Sequence, residues 1–318
     1  MRVAAIDLGT NSTRLLVADV GDRRVDNVVR RVRITRLGEG VDERRRLLPL
    51  PVARVRNVLT DFRRQAEALG AERTLAIATS AVRDAENGEA FLGEVEWSYG
   101  FATRLLTGDE EAQLTYRGVS VARPLDRPTL IVDIGGGSTE LVAGSARGLA
   151  FHDSLDVGCV RLTERFLPSD PPTGDELREC ADAVTALLSE RVPDELRPPA
   201  AIGVAGTITS LAALDLELDE YDADRVHGHV LSRAAVGEQL ARLASLPVAA
   251  RRELRPLEPE RAPVIVAGVV ILAAILEHFG LDAIEVSERD ILDGAALEAA
   301  ALPGREEGAA PPGAYTCC

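Results

Sequence analysis

The chain contains nearly the same eight residues twice. Residues 7–14 read DLGTNSTR, and residues 133–140 read DIGGGSTE. The two copies begin 133 − 7 = 126 residues apart, a spacing that is too long for a solenoid repeat and suits a duplicated domain. Apolar runs lie on both sides of each copy, and apolar runs around a Gly, Asn and Ser turn predict a hairpin of two strands. We therefore expect two similar domains that each open with a hairpin.

Strands and helices alternate in the rest of the chain. Residues 52–69 have apolar positions at helical spacing and end at Gly70, and the following TLAIATSAVRDA reads as a strand that runs into a polar loop. This alternation predicts an α/β fold with mostly parallel sheet. Two such domains are expected to face each other across a cleft, with both repeated loops at its floor, because clefts between domains are preferred ligand sites.

The proline- and charge-rich stretch ARPLDRP, residues 122–128, is the best candidate for a linker. It divides the chain into domain I at 1–124 and domain II at 125–302, with the last helix of domain II as a candidate for packing on domain I. After Pro303 no periodicity remains, so a disordered tail is expected at 303–318.

Composition excludes several classes of protein. The net charge is −15 and all 36 basic residues are Arg, so no basic face for nucleic acid is expected. The longest apolar run, residues 263–276, is too short to cross a bilayer, and the N-terminus has no signal-peptide pattern. The four cysteines, which include Cys317 and Cys318, show no metal-binding spacing. We expect a cytoplasmic protein without a membrane partner.

The two repeated loops are candidate phosphate-binding sites. Gly135, Gly136, Gly137 and Ser138 form the second loop, and small residues let several backbone NH groups turn toward one anion. Thr10, Asn11 and Ser12 offer more side-chain donors in the first loop. The alternative is that both loops are merely tight hairpin turns, although two copies at domain spacing favour binding. A Walker A loop is excluded because the chain has no Lys.

The last position of the repeat changes from Arg14 to Glu140. A guanidinium after the first loop suits phosphate, whereas Glu140 together with Asp133 suits Mg²⁺, with Mn²⁺ as an alternative. Asp7 either contacts the same metal or only braces its loop. One half of the molecule is therefore expected to bind anion and the other metal.

Several motifs in order resemble one family. AAIDLGTNSTRLLV, AIATSAVRDAEN, LLTGDEEAQLTYRGV, LIVDIGGGSTELV, DVGCVRLTERF, AGTITSLAAL and IEVSERDILDGAAL are similar to those of the exopolyphosphatase and guanosine pentaphosphate phosphohydrolase (Ppx/GppA) phosphatase family, over roughly residues 2–300. That family lies within the sugar kinase, heat-shock chaperone and actin superfamily. The resemblance implies two ribonuclease H-like (actin-like ATPase) domains with an interdomain cleft.

The resemblance also implies residue roles. It places a general base at Glu111, metal-linked carboxylates at Asp133 and Glu140, phosphate-facing arginines at Arg14 and Arg83, and a nucleotide or chain contact at Arg261. From the residues alone, GDEEAQ reads as a loop that enters a helix, with Gly108 and Asp109 as its turn and cap. Only one of Glu110 and Glu111 is expected to face the cleft, and the resemblance favours Glu111.

The expected activity is release of terminal orthophosphate from inorganic polyphosphate with Mg²⁺, mainly from short chains because the helical domains appended in longer family members are absent. Alternatives are hydrolysis of pppGpp and, in another class, a sensor that binds ppGpp or polyphosphate without turnover. An ATP-dependent sugar kinase or actin-like polymer shares the fold, but GVAGTITSL is a weak match to an adenosine loop. The resemblance implies a homodimer.

The stretch VHGHVL contains His227 and His229. Two histidines at alternate positions of a strand point the same way and are able to bind a metal. No third ligand lies nearby in the sequence, so a structural role beside the cleft is favoured over a metal site.

Overall fold

The structure, a computed structural model, describes residues 1–22, 24–122 and 124–303. The tail was expected at 303–318, and residues 304–318 of it, with Cys317 and Cys318, lie outside the described residues. The chain divides into two compact units. Unit 1 comprises residues 1–123 and 291 onward, and unit 2 comprises residues 124–290. No helix in the described ranges combines the length and apolar character that a membrane span requires.

Unit 1 is built on a five-stranded sheet in the order β3-β2-β1-β4-β5. Strand β2 is antiparallel to β1 and β3, whereas β4 and β5 are parallel to β1. Its elements within the described residues are β1 (Arg2–Leu8), β2 (Ser12–Gly21), β3 (Arg24–Ile34), α1 (Val41–Arg44), α2 (Pro49–Ala68), β4 (Arg73–Ala78), α3 (Ser80–Arg83), α4 (Gly88–Tyr99), β5 (Ala102–Leu105) and α5 (Gly108–Ala122), and the chain returns to this unit with α13 (Ile291–Ala301).

Both faces of the unit 1 sheet are buried. Strand β1 sends Ala4 and Ile6 toward a core that includes α2 and α4, and sends Val3 and Ala5 toward a second core that includes α5 and α13. A strand with helices on both faces is apolar without alternation, which explains why RVAAIDL has an almost unbroken apolar run. The helices thus fix β1 and the loop that follows it.

Unit 2 repeats this plan in a six-stranded sheet with the order β10-β11-β9-β6-β7-β8. Strand β7 is antiparallel to β6 and β8, and β9 is parallel to both β6 and β11. Its described elements are β6 (Thr129–Ile134), β7 (Thr139–Ser145), β8 (Gly148–Leu155), α6 (Cys159–Phe166), α7 (Gly174–Arg191), β9 (Ala200–Val204), α8 (Ala205–Asp215), α9 (Ala223–Val226), β10 (Val230–Ser232), α10 (Arg233–Ala244), α11 (Val248–Arg251), α12 (Ile265–His278) and β11 (Ala283–Val286).

The two sheets share one arrangement. In each, a hairpin from the repeat is followed by a third antiparallel strand on one side and by two parallel strands on the other. Unit 2 adds an edge strand, β10, which is antiparallel to β11. The predicted fold class, two similar α/β domains, is confirmed. The longest apolar run of the sequence forms α12, which lies in the core of unit 2, as expected for a stretch that is too short to cross a bilayer.

The division of the chain differs from the expected ranges at its C-terminal end. Residues 291–302 were assigned to domain II, with the last helix as a candidate for packing on domain I, but α13 belongs to unit 1. Its apolar residues Ile291, Leu292 and Ala295 lie in a core with Val3 and Leu114 of that unit. A helix joins the core that its apolar side covers, and chain order alone does not indicate which core that is.

Candidate active site

The first and last residues of each repeat lie opposite each other across its hairpin. Asp7 of β1 pairs in register with Arg14 of β2. The Arg14 Nε and Nη2 atoms donate to Oδ2 of Asp7 at 2.8 and 2.7 Å. Both side chains are largely buried. This ion pair favours the bracing role for Asp7, because its carboxylate is held by a cation from its own hairpin.

The equivalent pair in unit 2 consists of two carboxylates. Asp133 of β6 lies opposite Glu140 of β7, and their exposed fractions are 6% and 1%. Directly opposite residues of an antiparallel pair share one face, with Cβ atoms about 5 Å apart. Glu140 accepts a hydrogen bond from the Ser154 hydroxyl on β8 at 2.9 Å. Two buried carboxylates on one face favour a bound cation, since like charges at this spacing repel each other.

The carbonyl groups of the first loop accept hydrogen bonds from the segment that follows strand β3. The Asn11 carbonyl accepts from the NH groups of Thr35 and Arg36, and the Thr10 carbonyl accepts from Gly38 at 2.8 Å. The Thr10 hydroxyl lies 2.9 Å from that of Ser80. Among the described residues, no protein acceptor takes the NH groups of Thr10 and Asn11. Two NH donors without protein acceptors thus lie at this loop. The buried Oδ1 of Asn11, which is an acceptor, also has no hydrogen-bond partner within the described residues.

The second loop has the same construction. Gly135 NH donates to the Ser138 carbonyl at 3.0 Å, just as Gly9 NH donates to the Ser12 carbonyl at 3.0 Å. The carbonyls of residues 135 and 136 accept NH groups from the first turn of α6, and Nε of Arg161 donates to the Gly137 carbonyl at 2.7 Å. Within the described ranges, the NH groups of residues 136–138 have no protein acceptor. An array of free NH groups with all carbonyls turned away is an anion-binding nest.

Gly158, which caps the start of α6, keeps this loop in place. A Cβ atom added there would lie 2.4 Å from the Gly136 carbonyl oxygen, a distance at which backbone must move. The residue therefore has to be Gly for helix α6 to approach the loop. Sequence analysis did not single out this residue, although DVGCV, which contains it, is one of the family motifs.

Arg83 and Glu111 form a pair in unit 1. Arg83 lies at the end of α3, and its Nη1 donates to the Leu106 carbonyl at 2.8 Å and to Oε2 of Glu111 at 3.3 Å. Glu111 is 7% exposed and lies in the first turn of α5. The structure thus brings together two predicted residues that are 28 positions apart in the chain.

The neighbouring Glu110 has a structural role. Its carboxylate accepts from the Thr107 NH at 2.8 Å, and its own NH donates to the Thr107 hydroxyl at 3.2 Å, which is a capping box. The bond from the Thr107 NH, followed by the Arg104 guanidinium, lowers the pKa of Glu110. The expected cap at Asp109 is wrong, because Thr107 occupies the position before Gly108. The Glu110 carboxylate thus caps the start of its own helix, whereas that of Glu111 lies beside Arg83.

Arg261 lies against the turn that opens α8. A Cβ atom on Gly206 would lie 1.9 Å from its guanidinium, so the guanidinium packs directly on the Gly206 backbone, and a side chain there would displace it. Nε of Arg261 also donates to Glu258 at 3.0 Å. Burial raises the pKa of Cys159 to about 11, against the opposing effects of Arg261 and the Thr207 hydroxyl. Arg261 is thus near the start of both α6 and α8 in unit 2.

The two histidines of VHGHVL do not lie on a strand, since β10 begins at Val230, and the expectation of alternate strand positions is wrong. Nε2 of His229 lies 2.7 Å from Oδ2 of Asp215. Nδ1 of His227 accepts the Glu288 NH at 3.2 Å. These separate partners agree with the structural role that we favoured.

Each predicted site residue other than Arg261 lies on a hairpin or at the carboxyl end of a parallel strand of its own unit. In unit 1, β1 leads into loop 1 (residues 10–12), β4 into α3 and β5 into α5. In unit 2, β6 leads into loop 2 (residues 135–138) and β9 into α8. Ligands of open α/β sheets bind at these ends. The sequence analysis did not single out Ser80, which lies within the motif AIATSAVRDAEN, or Ser154, which lies two residues before the motif DVGCVRLTERF.

The donor set fits a cation that shares its coordination with substrate. Among the described residues, no group of three His, Cys, Asp or Glu is arranged to hold a metal ion. Asp133 and Glu140 nonetheless present two carboxylates on one buried face. Mg²⁺ is typically bound by one or two carboxylates together with substrate phosphates and water, so these two residues fit it.

Comparison with known proteins identifies the family. The model of the Ppx/GppA phosphatase family matches residues 16–300. The chain belongs to this family. It is 41% identical to Exopolyphosphatase 2 of Mycobacterium tuberculosis, over 94% of this chain and 98% of that protein. This membership confirms the family expected from the motifs.

Two further Ppx/GppA relatives bear on fold and substrate. A crystal structure of the Aquifex aeolicus family member has a TM-score of 0.80 and 34% identity, covering 94% of this chain and 97% of that one. The guanosine-5'-triphosphate,3'-diphosphate pyrophosphatase of Vibrio atlanticus is 28% identical over 93% of this chain and 58% of its own length. The fold is therefore that of solved Ppx/GppA structures.

Proposed function

We propose that the chain is an exopolyphosphatase, which hydrolyses the terminal phosphoanhydride of inorganic polyphosphate. The observation that carries this proposal is the hydrogen bonding of the two loops. Their carbonyl groups accept hydrogen bonds from the protein, whereas their NH groups remain available for anions. The 41% identity to an exopolyphosphatase over nearly the full length of both chains supports the same substrate class.

Glu111 is the proposed general base. It is a buried carboxylate beside the Arg83 guanidinium, and in this role it orients water and accepts its proton during in-line attack on the terminal phosphorus. Arg83 serves twice, because it holds Glu111 in place and adds positive charge for the transferred phosphoryl group. The leaving group is the shortened chain.

The loops are proposed to hold phosphate oxygens. Thr10, Asn11 and Ser12 in unit 1 and residues 135–138 in unit 2 supply NH and hydroxyl donors. Arg14 stabilises the first loop through its ion pair with Asp7. A direct contact with phosphate requires its guanidinium to bind the Asp7 carboxylate and the phosphate together. Arg261 is the proposed contact for a more distant part of the substrate. Fixed donors lower the barrier because they need no reorganisation when charge develops.

Asp133 and Glu140 are the residues proposed to hold Mg²⁺, with Mn²⁺ as an alternative. A divalent ion bound there neutralises the phosphate charge that develops during the reaction. The Ser154 hydroxyl, which donates to Glu140, keeps that carboxylate oriented.

The proposal is tested by orthophosphate release from the pure protein with Mg²⁺, measured side by side on short polyphosphate, long polyphosphate and pppGpp. We expect fast release from polyphosphate, with the highest efficiency on short chains. Turnover that rises steadily with chain length would contradict the short-chain preference. Absence of release from every substrate, with measurable binding of ppGpp or polyphosphate, would show a sensor instead of an enzyme.

Hydrolysis of pppGpp is the second candidate. It is favoured by the similarity to a protein named as a guanosine-5'-triphosphate,3'-diphosphate pyrophosphatase, of which this chain spans 58%. Both substrates present a terminal phosphoanhydride to the same donors. A kcat/KM for pppGpp well above that for every polyphosphate would establish this alternative.

A further inference from the structure

Three consecutive arginines, Arg44, Arg45 and Arg46, form an exposed turn in unit 1, which we name the arginine turn. Most arginines of this unit have a carboxylate partner, as in the pairs Arg54–Glu39 and Arg56–Glu94. In the described part of the chain, no carboxylate lies within ion-pair distance of any residue of the arginine turn. The absence of partners is notable in a chain with 51 acidic residues and a net charge of −15.

The backbone connects the arginine turn to loop 1. Gly38 NH donates to the Thr10 carbonyl, Val41 NH donates to the Gly38 carbonyl, and Arg45 NH donates to the Val41 carbonyl, at 2.8, 3.0 and 2.8 Å. Helix α1 is a single turn, about 6 Å long at 1.5 Å per residue. The three guanidinium groups therefore start about one helical turn from the segment that contacts the proposed phosphate loop.

A second anchor ties the arginine turn to the segment after Arg83. Glu86 NH donates to the Arg45 carbonyl at 2.9 Å. The Asn87 side chain accepts from the Leu47 NH at 2.8 Å and donates to the Leu47 carbonyl at 3.1 Å. The backbone is thus fixed on two sides while the arginine side chains extend into solvent, which is the arrangement of a preorganised binding surface.

The backbone conformation of Arg45 ends helix α1. Its φ is +53°, in the left-handed region that suits Gly and that commonly follows the last residue of a helix. Gly is therefore compatible with the backbone at this position, which makes it possible to remove the Arg45 side chain without distorting the turn.

We propose that the arginine turn binds phosphate groups of the polyphosphate chain beyond the terminal one. This inference rests on the proposed function of loop 1. Guanidinium groups pair with phosphate in a bidentate manner, and three of them offset locally the repulsion that an acidic protein exerts on a polyanion. The expected consequence is an affinity that rises from tripolyphosphate to chains that reach the turn and then levels off.

The test compares R44S/R45G/R46S with the wild type on tripolyphosphate and on long-chain polyphosphate. Gly at 45 suits the observed φ, so the fold is retained, and the midpoint of thermal unfolding verifies this. A matched control is R24S/R64S, which removes exposed arginines of the same unit. Arg24 lies at the far end of β3 from loop 1, about 33 Å away at 3.3 Å per residue.

We expect KM for long-chain polyphosphate to rise by about tenfold in the triple variant, the scale of three exposed ion pairs. KM for tripolyphosphate should change far less, and the salt dependence of the long-chain KM should become shallower. The control should match the wild type. An equal change on both substrates, or no change on either, would overturn the proposal.

Direct binding separates this inference from the proposed function. If the wild type releases no orthophosphate from polyphosphate, the proposed function fails, and binding of long-chain polyphosphate is then measured by calorimetry for the wild type and both variants. Weaker binding by the triple variant alone would still support a polyphosphate surface at the arginine turn. Equal binding by all three proteins would refute it, and weaker binding of pppGpp alone would assign the turn to the guanosine nucleotide.

Discussion

Arg14 donates two hydrogen bonds to Asp7 across the first hairpin, at the place where the second hairpin sets Glu140 opposite Asp133. The same hairpin position thus holds an ion-paired carboxylate in unit 1 and a pair of carboxylates in unit 2.

Arg14→Met should destabilise unit 1 by about 3 kcal/mol, because it removes the cation from a buried ion pair. Adding Asp7→Asn should recover part of this loss in a double-mutant cycle of urea unfolding. Strictly additive effects would contradict a direct coupling.

The acidic pair of unit 2 predicts metal-dependent stability. Mg²⁺ at a hundredfold excess over its Kd should stabilise the wild type by about 2.7 kcal/mol, and chelation should reverse the shift of the unfolding midpoint. Glu140→Gln should abolish the shift without lowering the metal-free midpoint, because it relieves repulsion between Asp133 and Glu140. Glu190→Gln, at an exposed position of the same unit, is the control. A full Mg²⁺ response in Glu140→Gln would place the ion elsewhere.

Gly158→Ala should impair loop 2. The added methyl group would lie 2.4 Å from the Gly136 carbonyl oxygen, so the loop or helix α6 must shift, at a cost of about 1–3 kcal/mol for overpacking. Orthophosphate release should fall while the fold persists by circular dichroism. Gly174→Ala is the matched control because nothing lies within 4 Å of its Cβ position. Equal activity of both variants would refute the role of Gly158.

Cys159 and Cys180 should be unreactive at neutral pH. Burial raises the pKa of each thiol from 9.0 to about 11, so the thiolate fraction at pH 8 is about one in a thousand. In a C317S/C318S chain, a thiol-specific reagent should modify neither residue at pH 8 until denaturant is added. Fast labelling of the native protein would contradict their burial.

The sign of the thiol effect on stability follows from the same pKa values. The unfolded chain releases these protons above pH 9, whereas the folded chain retains them until about pH 11. The two thiols therefore contribute stability that is fully present below pH 9 and is lost as the pH rises toward 11. Replacing both by Ala should flatten that part of the stability profile.

The sequence predicted the fold because its signals are local. The repeat, the apolar runs and the alternation of strands and helices each depend on neighbouring residues, and both sheets follow from them. The last helix was only a candidate for packing on domain I, since a helix at the end of the chain is able to cover either core. Only tertiary structure showed that Ile291 and Leu292 share a core with Val3.

The contacts within the candidate site were harder to predict than the motifs that contain its residues. Arg14 was predicted to face phosphate because a guanidinium after the loop suits an anion, and its ion pair with Asp7 depends on a hairpin register that the sequence does not show. Asp109 was expected to cap α5, yet Thr107 and Glu110 form a better cap as a reciprocal pair. His227 was placed on a strand, whereas the Asp222 side chain caps a short helix just before it. For Asp109 and His227, a specific hydrogen bond overrode a general tendency.

The most direct test of the account compares Glu111→Gln with Glu110→Gln in orthophosphate release from short polyphosphate. Glu111→Gln should lower kcat by about 100-fold or more while the protein stays folded, the scale of a lost general base. Glu110→Gln should weaken the cap of α5 and lower the unfolding midpoint but retain most of the turnover. Near-normal turnover in Glu111→Gln, or a larger loss in Glu110→Gln, would contradict the assignment of Glu111 as the base.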